Sequence, residues 1–122
     1  MKHILLFGAG KSATVLINYL QHLSKEKSWS VTIADANITL LNDKVKETAY
    51  VNKVHIEIED ASTRQKLIEK SDVVISMMPP QLHFLIAMDC IIFKKHLLTA
   101  SYLDDKIKAL APQIKDNNLL FL

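Results

Sequence analysis

The stretch HILLFGAGKSATVLINYL, residues 3–20, passes from one apolar segment through two glycines into a second apolar segment of different period. HILLF (3–7) is short and apolar throughout, the pattern of a strand covered on both faces. After residue 12 the apolar positions recur at helical spacing, with Ser12 as the expected cap and Val15, Leu16, Tyr19 and Leu20 as the expected inner stripe. A plain strand-to-helix turn needs one glycine at most. Gly8 and Gly10, followed three residues on by the small Ala13, therefore suggest a backbone that something must approach closely.

Working outward, short apolar runs alternate with helical segments along the whole chain. HILLF (3–7), SVTIA (30–34), KVHIE (53–57), DVVISM (72–77), HLLTA (96–100) and LLFL (119–122) read as strands. Between them, Asn37 is expected to cap a short helix with Ile38, Leu41 and Val45 facing inward. STRQ (62–65) has the form of a capping box with Ser62 at the cap, and Pro79-Pro80 precedes the deeply apolar QLHFLIAMDCIIF. Asp104 is the expected cap of a last helix that Pro112 should kink or divide. Six strands joined by helical crossovers give a doubly wound α/β fold: a mostly parallel six-stranded sheet with helices on both faces. Residues 1–122 form one domain, and the chain stops inside the apolar LLFL, as expected of a domain belonging to a longer protein.

Composition narrows the function classes. Hydrophobic residues make up 49% and charged residues 23% of the chain, which is ordinary for a globular protein. The 15 basic and 13 acidic side chains are interspersed, so no basic face marks a nucleic-acid partner. No apolar run is long enough for a membrane span, and the roughly five apolar residues before Gly8 are too few for a signal peptide, so none is expected. A single cysteine, Cys90, rules out an internal disulfide framework and fits a reducing, cytoplasmic setting. The five histidines show no metal-ligand spacing with Cys90 or with one another, so no metal is expected. No nucleophile–base pair is evident, and no catalytic residue is assigned.

In a doubly wound sheet, ligands bind at the carboxyl ends of the strands where the strand order reverses. There Gly8 permits the tight turn, Gly10 admits a pyrophosphate, and Ala13 lets the helix pack near the strand, with Lys11 and Ser12 at the start of that helix. The N–H groups of the first helical turn face the phosphate with the helix dipole behind them. A turn of small residues without a ligand is the alternative. Asp35 ends the second strand roughly 20 residues beyond the turn, the interval expected for an acid that accepts from both ribose hydroxyls. It would repel a 2′-phosphate, and the nearest downstream base is Lys44, so NAD is expected over NADP. Helix capping is the other role open to Asp35. Glu57, Ile58 and Asp60 fall where an adenine edge would lie, and Met77, Met78 and Pro79 beside the nicotinamide half, although the two methionines also suit core filling.

Taken together, ILLFGAGKSATVLINYL, DVVISMMPPQLHFLIAMDCI and HLLTASYLDDKIKAL make the chain resemble the N-terminal dinucleotide-binding (Rossmann) domain of the glutamate-forming saccharopine dehydrogenase family. The resemblance spans essentially all residues, and ISMMPPQLH and TASY carry it more specifically than the glycine turn. It implies oxidation of the secondary amine of saccharopine with NAD or NADP, the imine then being hydrolysed to glutamate and 2-aminoadipate 6-semialdehyde in lysine metabolism. It further implies that Gly8, Gly10, Lys11, Ser12, Ala13 and Asp35 hold the cofactor and that Ala100 and Ser101 adjoin it. Ser101 and Tyr102 would then lie between nicotinamide and a small amino-acid substrate. NADP-using members carry a basic residue near the end of the second strand, where this chain has Asp35. The family's substrate domain follows the sixth strand and is absent from these residues. The domain alone is therefore expected to bind NAD without catalysis, and to self-associate, as a homodimer for instance. Lysine 6-dehydrogenases and polyamine-forming synthases share such a first domain. A non-catalytic nucleotide-sensing domain of the kind attached to potassium channels is the alternative from another class.

Overall fold

Parallel pairing of five short strands organises the chain. The computed structural model describes residues 2–99 and Pro112. In chain order these are β1 (His3–Phe7), a 3-10 turn (Lys11–Ala13), α1 (Thr14–Lys27), β2 (Ser30–Asp35), α2 (Ile38–Lys44), β3 (Val51–His55), α3 (Ala61–Glu69), β4 (Val73–Ser76), α4 (Pro80–Ile92) and β5 (His96–Thr99). The sheet order is β3-β2-β1-β4-β5, and every neighbouring pair is parallel. The order reverses at β1, so the crevice of a doubly wound sheet opens between the ends of β1 and β4.

Strand β1 shows why its sequence is apolar at every position. Leu5 and Phe7 point into the core shared with α3 and α4, while Ile4 and Leu6 point into the core shared with α1 and α2. Both faces of the sheet are therefore covered, and each fully buried side chain of this kind contributes about 1.5–3 kcal/mol. The expected six-stranded sheet has five strands among the described residues. The proposed sixth strand (119–122) and Asp104 lie outside them, and Pro112 itself is helical.

Several local expectations are corrected. The third strand is Val51–His55 rather than 53–57, because Val51 to His55 pair in register with Val31 to Asp35, while Glu57 already accepts the turn bond from Asp60 N. The cap of α3 is Asp60, not Ser62: its carboxylate accepts from Thr63 N and from Thr63 Oγ1, two bonds that a box on Ser62 would not match. Asn37 does cap α2, accepting from Leu40 N at 3.1 Å, but Ile38 is 45% exposed while Leu41 and Val45 are buried. Ser12 makes no cap bond. Val15 and Tyr19 are exposed, because the opening 3-10 turn sets the phase of α1 so that Ala13, Ile17, Leu20 and Ser24 face the sheet. Pro80 stands at the first position of α4, where its missing N–H costs nothing. Cys90 is buried within that helix, and burial pushes its thiol far above the ordinary range, so it is inert core.

At the amino ends of the strands, Asp72 clasps β1 to β4 from both sides. Its carboxylate accepts from His3 N at 2.8 Å, and its own N–H donates to His3 O at 2.8 Å. The His3 N–H holds the Asp72 carboxyl below its usual 3.8. A depressed folded-state value means that the stabilisation is present above the unfolded value and is lost as pH falls through the folded one. Asp72→Asn is accordingly expected to lower the urea midpoint at pH 7, with the difference from the parent shrinking as the pH drops below 3.8.

Candidate functional site

The two glycines serve different physical ends. Gly8 has φ +110°, a conformation that strains any residue with a side chain, and a Cβ there would lie 3.2 Å from Met77 Cβ and 3.3 Å from the Met77 backbone. It is needed for the turn itself, whose entry is fixed by Gly8 N donating to Ala34 O at 2.8 Å. Gly10 has an ordinary extended conformation (φ −69°), and a Cβ there would meet nothing within 4 Å. Nothing among the described residues requires glycine at position 10. The open space in front of it is what a close-approaching ligand would occupy. Ala13 is buried under the turn, as close helix–sheet packing demands; its N–H closes the first helical bond on Gly10 O, and the Lys11 and Ser12 N–H groups ahead of it have no intrahelical partner. Lys11 and Ser12 are exposed beside them.

Asp35 ties the turn to the neighbouring strand. Its Oδ2 accepts from Ala9 N at 2.6 Å and its Oδ1 from Asn37 N at 2.7 Å. The cap of α2 is Asn37, so Asp35 is not that cap, and it remains partly exposed at the crevice with a lone pair on each oxygen still to offer. The loop after β2 is held further by His55, whose Nε2 donates to Ala36 O at 2.8 Å. The structure thus brings the Gly8, Gly10 and Ala13 turn together with Asp35, as the spacing had suggested.

The remaining residues divide. Glu57 is exposed in the turn that follows β3. Ile58 is 2% exposed, its side chain in the core and its carbonyl accepting from Arg64 Nη1 at 2.6 Å, so it has no side-chain surface to give an adenine. Past β4, Met77 and Met78 are half-buried against opposite cores, and Pro79 is exposed at the rim. Met77 is joined to the turn through Met77 N donating to Phe7 O at 2.8 Å. Ala100, Ser101 and Tyr102 lie outside the described residues. Spacing alone gave no sign of the part played by Lys44: from the end of α2 its Nζ donates to Gly10 O at 2.9 Å.

Elsewhere the chemistry is sparse. Among the described residues no group of His, Cys, Asp or Glu could hold a metal ion, and no helix is long and apolar enough to cross a membrane. A cleft of about 410 Å³ lined by His3, Thr32, Asn52, Leu67 and Lys70 lies toward the amino ends of the strands, away from the glycine turn. Position in the fold and the glycine geometry favour the turn as the site.

Comparison with known proteins agrees with this geometry. Residues 4–122 match the family model described as the saccharopine dehydrogenase NADP binding domain. The alpha-aminoadipic semialdehyde synthase of Arabidopsis thaliana is 32% identical over 92 residues, covering 75% of this chain and 9% of that protein. The NADP(+), L-glutamate-forming saccharopine dehydrogenase of Saccharomyces cerevisiae is 29% identical over 114 residues, covering 93% of this chain and 24% of that protein. The chain thus spans less than a quarter of the length of either. In fold, the apo glutamate-forming saccharopine dehydrogenase from Saccharomyces cerevisiae superposes over 99% of this chain and 26% of that one, with a TM-score of 0.81 and 24% identity.

Proposed function

Because the chain belongs to the saccharopine dehydrogenase NADP binding domain family, we propose that residues 1–122 form a dinucleotide-binding domain that holds a nicotinamide cofactor for oxidation of an amine such as saccharopine. The observation that carries this is Gly10, a glycine with ordinary backbone and empty space before it, at the mouth of a helix and beside Asp35. In this reading the helix entry binds the pyrophosphate through the N–H groups of Lys11 and Ser12 and the helix dipole, with the small Ala13 packed behind them. Asp35 accepts from the adenine-ribose hydroxyls, Glu57 borders the adenine, and Met77, Met78 and Pro79 flank the nicotinamide half. Ala100, Ser101 and Tyr102 are proposed to complete the cofactor and substrate rim.

The cofactor supplies a hydride acceptor at its nicotinamide ring. This chain's residues orient it, and substrate binding and proton handling are proposed to come from beyond residues 1–122, as the greater length of the relatives suggests. NAD is the proposed form, on Asp35, although the family description and the yeast relative name NADP. A cytoplasmic location is proposed with it; the rat relative is named as mitochondrial, and cell fractionation distinguishes the two.

Calorimetric titration tests the cofactor reading. The folded chain is expected to bind NAD more tightly than NADP and to produce no NADH from saccharopine on its own. Asp35→Ser removes the ribose bonds together with the anchor on Ala9 N, so NAD affinity should fall by about 1–3 kcal/mol, the scale of charged hydrogen bonds. NADP should lose less, because repulsion of its 2′-phosphate is relieved. Equal losses for both would leave Asp35 with its structural role alone, and absence of any heat with NAD or NADP would overturn the reading.

A further inference from the structure

The glycine turn is held by a charge that reaches it from another helix. Gly10 O accepts twice, from Ala13 N at 3.0 Å and from Lys44 Nζ at 2.9 Å. Lys44 is itself fixed in place. Gln21 of α1 donates from Nε2 to Lys44 O at 3.5 Å and accepts from Lys46 N at 2.7 Å, pinning the end of α2 to the helix that the turn opens. Turn, α1 and α2 therefore close a ring through one lysine side chain.

An anion site built from backbone N–H groups works only if the carbonyls of the same turn point elsewhere, because each carbonyl oxygen carries the negative end of its peptide dipole. Gly10 is the residue of this turn least able to enforce that alone, having no side chain and open space where one would be. One residue earlier in the same turn, Asp35 places a carboxylate against Ala9 N. A lone carboxylate there would oppose a bound phosphate unless a cation stood near.

We propose that Lys44 is a positioning residue for the cofactor's pyrophosphate: it holds the Gly10 carbonyl turned away from the phosphates and brings a positive charge to the turn that also carries the Asp35 carboxylate. This deepens the dinucleotide reading and rests on it. Lys44 acts on what NAD and NADP share, so it does not discriminate between them.

The test compares the parent chain with Lys44→Met, Lys44→Arg and, as a charge-removal control, Lys46→Met, titrating each with NAD, NADP and adenosine by NMR shift perturbation. Lys44→Met is expected to weaken NAD and NADP alike by about tenfold at low salt, to leave adenosine unchanged, and to approach the parent as salt rises. Lys44→Arg should retain most of the affinity, and Lys46→Met all of it. Equal loss for adenosine would show a merely structural lysine, and loss confined to NADP would assign it to the 2′-phosphate; either overturns the proposal. Parent-like NAD binding by Lys44→Met overturns it while leaving the dinucleotide reading intact. Failure of the parent to bind NAD and NADP removes both. Should Lys44→Met not fold, affinity in Lys44→Arg that matches the parent and falls in parallel with salt supports the charge role, and a tenfold loss there opposes it.

Discussion

Replacing Asp89 with alanine is expected to lower the stability of the chain by about 3–5 kcal/mol, the cost of leaving a buried charge without its partner. Asp89 stands on α4 amid apolar residues and is 2% exposed. Its Oδ2 accepts from Arg64 Nε, its Oδ1 from Gln65 Nε2 at 3.2 Å, and Arg64 also donates from Nη1 to Ile58 O at 2.6 Å. The pair thus joins α4 to α3 and fixes the loop after β3. In Asp89→Ala the guanidinium stays buried with a single strong acceptor. The double variant Arg64→Met, Asp89→Leu removes both charges and substitutes apolar volume, so it should lie much nearer the parent. Urea unfolding of the singles and the double checks this. Single variants costing under about 1 kcal/mol would show that water reaches the pair and that it behaves like a surface bridge.

That pair also marks what could be read from the residues and what could not. An aspartate inside FLIAMDCIIF announces that a buried carboxylate needs a partner, but nothing in the local pattern says that the partner is Arg64, 25 positions away. The alternation of short apolar runs with helical segments carried the fold, because strands covered on both faces are apolar at every position, as in β1. It placed the register of β3 two residues late, since register is set by pairing with β2 and not by local apolarity. Periodicity alone assigned Val15 and Tyr19 to the inner face of α1. The phase of that helix is set by its opening turn, whose geometry follows from contact with the sheet. At the candidate site, the juxtaposition of Gly8, Gly10, Ala13 and Asp35 was legible because the motif ties each residue type to a fixed interval. The bond from Lys44 to Gly10 O was not, because it depends on how two helices pack.

The roles of the two glycines separate most sharply under the same mutation. Gly8→Ala puts a side chain on a backbone at φ +110° and a methyl 3.2 Å from Met77 Cβ, with backbone atoms of Met77 at 3.3 Å that cannot step aside cheaply. Strain of this sort costs about 1–3 kcal/mol, so the folded state should weaken and the turn shift, with dinucleotide binding lost as a consequence. Gly10→Ala meets nothing within 4 Å and keeps an extended φ of −69°, so stability should be unchanged or raised by about 0.4–1 kcal/mol through a less flexible unfolded chain. Yet its methyl would stand in the space through which the pyrophosphate approaches the helix entry. Overpacking of about 1–3 kcal/mol there corresponds to a loss of NAD affinity of roughly 5- to 150-fold. Thermal unfolding and calorimetric titration on both variants read the two quantities independently. A Gly10→Ala chain that is fully stable and fails to bind NAD would tie position 10 to the ligand alone. One that binds NAD as the parent does would mean that the phosphates lie elsewhere, and the open space before Gly10 would need another occupant.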